Sequence, residues 1–114
     1  MSAITTHVLD TARGCPAAGL RVLLEHLRQD STWQKVGSGK TDLDGRLRTL
    51  MAPDEPLAAG VYRLSFETRE YFDRAGVRAF YPSIAITFEA AVGETHYHVP
   101  LLLSPFGYST YRGS

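Results

Sequence analysis

The residues best equipped for chemistry are few. The chain holds four histidines, and three of them fall toward its two ends, as His7 and the pair His96 and His98. Arg46 follows directly on Asp44-Gly45, and the last four residues are Tyr111-Arg112-Gly113-Ser114, whose terminus is a carboxylate. Imidazole changes charge near working pH and can take or give a proton. Residues two apart on a strand point the same way, so His96 and His98 share a face. Two chemistries compete for this set. Three histidines can hold zinc, with His96 and His98 supplying two ligands from one strand. Alternatively, imidazoles and a guanidinium can surround a planar anionic substrate. Zinc leaves Arg46 awkward, because a nearby guanidinium raises the electrostatic cost of holding a cation. The anion site uses all of these residues. Composition alone does not decide between them, since arginine after a turn is usually solvated and a His-x-His pair is more often structural.

Other motifs carry less. Gly39-Lys40-Thr41 resembles the end of a phosphate-binding loop, but the pattern needs glycine at position 34, where Gln34 stands. Asp42-Leu43-Asp44-Gly45 hints at a calcium loop and lacks the later ligands and the closing glutamate, so a tight turn before a strand is the better reading. His26 stands alone on a strand-like run and reads as a surface histidine. Cys15 precedes Pro16 with no protease-like histidine signature beside it, and reads as a small residue at a turn.

The elements that must position these groups follow a period of two. In Val61–Glu67, Tyr62, Leu64 and Phe66 face one way while Arg63, Ser65 and Glu67 face the other. Ile84, Ile86 and Phe88 alternate in the same manner, as do Tyr97, Val99, Leu101 and Leu103. Leu20–Arg28 is apolar on both faces and fits a strand or a short helix. Tyr108–Tyr111 is β-rich, and His7 falls in a first strand. Turn signals separate the runs at Arg13–Pro16, Gly37-Ser38-Gly39, Asp44-Gly45, Ala59-Gly60, Val92-Gly93 and Pro105-Phe106-Gly107. Short strands at this spacing predict a sandwich or barrel. One segment departs from the pattern: Thr68 is placed to cap a two-turn helix through Ala75, with Gly76 just past its end.

Bulk properties bound the rest. The chain has 114 residues, which fits one domain over 1–114 and buries roughly two-thirds of its unfolded surface without staples. Twelve basic and 12 acidic residues cancel, so no basic excess points to nucleic acid, and little charge opposes self-association. The single cysteine suits a reducing compartment. Neither a basic-then-apolar leader nor an apolar run of ~20 residues is visible, so no membrane partner and a cytoplasmic location are expected.

Three blocks carry a family resemblance: Thr5–Ala17, Thr41–Arg46 and His96–Ser114, with Phe80-Tyr81-Pro82 after the helix between them. Together they resemble the 5-hydroxyisourate hydrolases, the enzyme branch of the transthyretin-like proteins. The resemblance covers essentially the whole chain, and the Tyr-Arg-Gly-Ser ending marks the enzyme branch. It implies an all-β, transthyretin-like two-sheet sandwich of about eight strands with one short helix. It implies a homotetramer, a dimer of dimers, with active sites at the dimer–dimer interface. Catalysis would fall on His7, Arg46 and His98. Substrate binding would fall on His7, Arg46, Tyr111, Arg112, Gly113 and Ser114, with His96 a neighbour and no metal or other cofactor. The implied reaction opens the six-membered ring of 5-hydroxyisourate by water attack, giving 2-oxo-4-hydroxy-4-carboxy-5-ureidoimidazoline. The alternative within the fold is a non-catalytic carrier of a small aromatic ligand.

Overall fold

The computed structural model describes residues 2–114. Their strands are β1 (Ile4–Asp10), β2 (Cys15–Pro16), β3 (Arg21–Leu27), β4 (Trp33–Lys40), β5 (Arg46–Leu47), β6 (Gly60–Phe66), β7 (Ile84–Ala90), β8 (Tyr97–Ser104) and β9 (Gly107–Thr110). One helix, α1 (Thr68–Arg74), joins β6 to β7. Two of these nine strands, β2 and β5, have only two residues each.

Four strands pair antiparallel in the order β4-β3-β6-β7. The other sheet runs β2-β1-β8-β9, and β5 also pairs with β1. Thus β2 and β5 share one edge of β1, pairing with its second and first halves, while β8 lies parallel along the other. The alternating apolar residues turn inward as expected. Ile4, Val8, Val99, Leu101 and Leu103 from one sheet meet Val22, Leu24, Tyr62, Leu64 and Phe66 from the other, and all are buried. Burial of each such side chain contributes about 1.5–3 kcal/mol. Thr6 also turns inward, where its hydroxyl donates to the Val99 carbonyl at 2.6 Å.

Local details differ from the sequence expectation in three places. Gly37-Ser38-Gly39 is not a turn but lies within β4. A Cβ on Gly37 would overlap the Leu50 carbonyl, and one on Gly39 would press on Leu47 at 3.0 Å. These glycines serve close approach of chain segments, the other common use of glycine in a strand. Thr68 is the first helical residue rather than the cap. Glu67 holds the cap position without a side-chain bond, and the Thr68 hydroxyl instead donates to the Tyr81 carbonyl at 2.8 Å. Gly76 does follow the helix in the left-handed region, at φ +69°. His26 is half-buried and stacks on Tyr62, with ring centroids 4.3 Å apart. The helix is tied to the other sheet through Tyr71, whose hydroxyl donates to buried Asp10 at 2.8 Å. Burial and this carboxylate push the Tyr71 phenol up to about 12. Among the described residues, no helix is long and apolar enough to cross a membrane.

Candidate active site

Residues that alternate with the core residues of β1 and β8 point to the outer face of the β2-β1-β8-β9 sheet. Register brings them together there. His7 of β1 stands opposite Arg46 of β5, and Thr5 stands beside His98 of β8. Arg46 is presented by the Asp42–Gly45 turn. One Asp42 carboxylate oxygen accepts from the backbone N–H groups of Asp44 (2.9 Å) and Arg46 (3.0 Å). The Arg46 amide, then that of Asp44 and the Arg48 and Arg46 charges, hold the Asp42 carboxyl below its ordinary range. Gly45 closes the turn at φ +75°, where a Cβ would meet the Val8 carbonyl.

The two chain-end histidines are held differently. His7 Nε2 lies 3.0 Å from the Asp44 carbonyl oxygen. A carbonyl only accepts, so Nε2 carries the proton that faces it and Nδ1 is left free of this contact. His98 Nδ1 lies 2.8 Å from the Thr5 hydroxyl. Burial above all, and then the charges of His7, His96 and Arg46, push the His98 pKa below 6.5, against the opposing effect of a hydrogen bond to the Thr5 backbone. The ring is therefore neutral at neutral pH and able to accept a proton.

The tail folds back onto this face. Gly113 forms an antiparallel bridge with His98, its N–H donating to the His98 carbonyl at 2.8 Å. A Cβ on Gly113 would come within 2.6 Å of His98 Cδ2 and 3.2 Å of Pro100 Cγ. Only glycine allows the tail to lie this close to the imidazole. Ser114 is thereby carried into a shallow depression of about 160 Å³, shared with Thr5, Thr6, Arg46, Arg48, His96 and His98.

Of the expected set, the structure gathers Arg46, His98 and Ser114 around the depression, with Gly113 against His98 and His7 beside Arg46. It does not bring Tyr111 or Arg112 to the same lining. Tyr111 is 58% exposed. The Arg112 guanidinium lies 4.4 Å over the Tyr97 ring and 3.5 Å from Glu94. His96 precedes β8 rather than lying in it, yet reaches the same Thr5 hydroxyl at 3.2 Å. The sequence reading missed Thr5 and Arg48. Arginine at 48 repeats the period of two from Arg46, a signal that was present; a threonine in a strand gives none. No three His, Cys, Asp or Glu side chains among the described residues converge as a metal site would require. His7 Nε2 is turned to a carbonyl, and the other two histidines meet at a hydroxyl.

Comparison with known proteins places this arrangement in a family. A model described as the HIUase/transthyretin family matches residues 4–113. The 5-hydroxyisourate hydrolase of Salmonella dublin is 44% identical over 111 residues, covering 97% of this chain and 80% of the relative. The solved 5-hydroxyisourate hydrolase of Klebsiella pneumoniae superposes with a TM-score of 0.85 at 39% identity, over 100% of both chains. Transthyretin from Sparus aurata superposes with a TM-score of 0.91 at 31% identity, covering 99% of this chain and 97% of that one. The fold, the matched span and the sequence identities agree, and the chain belongs to the HIUase/transthyretin family.

Proposed function

We propose that this chain hydrolyses 5-hydroxyisourate, opening the six-membered ring to give 2-oxo-4-hydroxy-4-carboxy-5-ureidoimidazoline. The observation that carries the reading is one depression flanked by a neutral imidazole, two guanidinium groups and the folded-back tail. Backbone similarity does not separate enzyme from carrier, since the transthyretin superposes slightly better than the hydrolase. Function resides in the site rather than the fold. Sequence identity runs the other way, 39–44% to the hydrolases against 31% to the transthyretin. A carrier of a small aromatic ligand has no need of a neutral imidazole held as a proton acceptor.

In this reading a water attacks a ring carbonyl of the substrate. His98 and His7 share water activation and proton delivery, each with one nitrogen anchored and one available. Arg46 binds the carbonyl oxygens and stabilises the developing oxyanion. Its charge also helps keep His98 unprotonated. Gly113 and Ser114 border the substrate, Tyr111 closes over it, and Arg112 holds the tail in place through Tyr97 and Glu94. A volume of about 160 Å³ is below the ~300 Å³ at which ligand pockets begin. That shortfall supports a tetramer in which a second copy deepens the site.

The test generates 5-hydroxyisourate from urate with urate oxidase and follows its absorbance decay with and without this protein. Accelerated decay is expected. Removal of residues 111–114 should leave a folded protein slowed about 100-fold or more, as expected for lost positioning. No acceleration by the intact, folded protein would overturn the assignment.

A further inference from the structure

Thr5 is on the outward-facing side of β1 and yet only 3% exposed. Its hydroxyl lies between two imidazoles, 2.8 Å from His98 Nδ1 and 3.2 Å from His96 Nε2. A hydroxyl has one proton. Its described partners are these two rings alone, so its single proton goes to the lone pair of one of them and the other ring presents an N–H to it. The protonation patterns of His96 and His98 are therefore opposite and linked through Oγ1.

Which pattern holds is decided across the depression. With Nδ1 committed to Thr5 and Gly113 against Cδ2, Nε2 is the His98 nitrogen left for a ligand. Arg46 and Arg48 line the same depression. Their positive field disfavours an N–H aimed toward them and favours a lone pair. His96 also borders a separate, larger cavity of about 490 Å³ alongside Asp54, Glu55 and Glu94.

We propose that Thr5 is a positioning residue that fixes the tautomer of His98. It accepts from Nδ1–H of His98 and donates to Nε2 of His96, leaving His98 Nε2 bare as the proton acceptor. The inference deepens the hydrolase reading and rests on it for its kinetic consequence alone; the tautomer itself is a property of the free protein. When His98 Nε2 takes a proton from water, the balance can be passed outward. The Nδ1 proton moves to Thr5 Oγ1 as the Thr5 proton moves to His96 Nε2. His98 is then neutral with its proton on Nε2, and His96 is the cation, facing the outer cavity and its carboxylates. His7 and Arg46, the other charged or titratable groups acting on His98, raise the cost of leaving the positive charge on His98 itself. Serine preserves this chain of hydrogen bonds. Valine matches the shape of threonine and breaks it.

The experiment compares the intact protein, Thr5→Ser and Thr5→Val by nitrogen NMR of isotope-labelled histidine and by the 5-hydroxyisourate decay assay. In the intact protein His98 should show a protonated Nδ1 and an unprotonated Nε2, and Thr5→Ser should keep both. Thr5→Val should show averaged tautomers and a kcat lower by on the order of 100-fold, the span of one general base. Its KM should stay within about twofold, since ground-state contacts are untouched. Thr5→Ser should recover most of the rate. A protonated Nε2 on His98 in the intact protein overturns the proposal, as does unchanged His98 tautomer or rate in folded Thr5→Val. If the intact protein leaves 5-hydroxyisourate untouched, the hydrolase reading falls while the NMR result still decides the role of Thr5.

Discussion

Gly113→Ala probes the junction of tail and imidazole with a single methyl group. The added Cβ would sit 2.6 Å from His98 Cδ2, where ordinary contact begins at 3.4 Å. The difference, 3.4 − 2.6 = 0.8 Å, must be taken up by the ring or by the tail. The ring has little slack, because it is half-buried and its 2.8 Å bond to Thr5 fixes it. The tail can lift only by loosening the Gly113 N–H bond to the His98 carbonyl, which also draws Ser114 away from the depression. Either response misplaces a group at the site by nearly 1 Å, a displacement that costs up to ~100-fold in rate. The expected outcome is a loss of 10- to 100-fold in kcat/KM, on that order of magnitude. Global stability should change by under about 1 kcal/mol, because the tail contributes little to the core. The assay is 5-hydroxyisourate decay beside a thermal melt. A Gly113→Ala protein that melts like the parent and turns over at the parent rate would refute the placement of the tail against a working imidazole.

His98→Asn and Arg46→Ala should each cost about 100-fold or more in kcat/KM with melts close to the parent, since in the proposed mechanism one removes a base and the other an oxyanion partner. Activity should persist as pH falls to 6.5 and then decline through the lowered His98 pKa, as a pH–rate profile would show. Stability should follow the same sense. The unfolded histidine protonates near 6.5 and the folded one only below it, so stability is lost as pH falls through that window, and less is lost in His98→Asn. Tyr71→Phe should destabilise by about 1–3 kcal/mol by leaving Asp10 Oδ2 without its donor, read by denaturant unfolding. The parent should also lose stability as pH rises from 10 to about 12, where an unfolded phenol ionises and the folded one does not; Tyr71→Phe should lose less over that range.

Much of the sandwich was legible because a half-buried strand writes its face into the sequence. Tyr62, Leu64 and Phe66 read inward from alternation alone and are buried. The glycines of β4 misled because close approach and turn use the same residue, and only the Leu50 and Leu47 neighbours tell them apart. Thr68 misled for a related reason: a threonine at a helix start can cap or can pack, and its hydroxyl went to Tyr81. At the site, the residue types were visible and their geometry was not. The His7–Arg46 register depends on a two-residue strand, and the Thr5–His98 contact joins residues 93 apart in sequence. Arg112 looked like a ligand contact by its place in a motif. Its stacking on Tyr97 depends on how the tail folds back, which no local pattern encodes.

The parallel pairing of β1 with β8 also imposes an order of events on a newly made chain. The ribosome delivers Thr5 and His7 early, and His98 only 93 residues after Thr5. At about 5–20 residues per second, roughly 5–20 s separate the two. Until β8 emerges, β1 has only the short partners β2 and, once made, β5 on one edge, and nothing on the other. The emerging chain thus exposes a strand edge of the kind that templates unwanted pairing. A chain stalled before β8 would have half a sandwich, a bare edge and no imidazole opposite Thr5. Such a fragment should be cleared or aggregate rather than persist as a weak version of the finished protein.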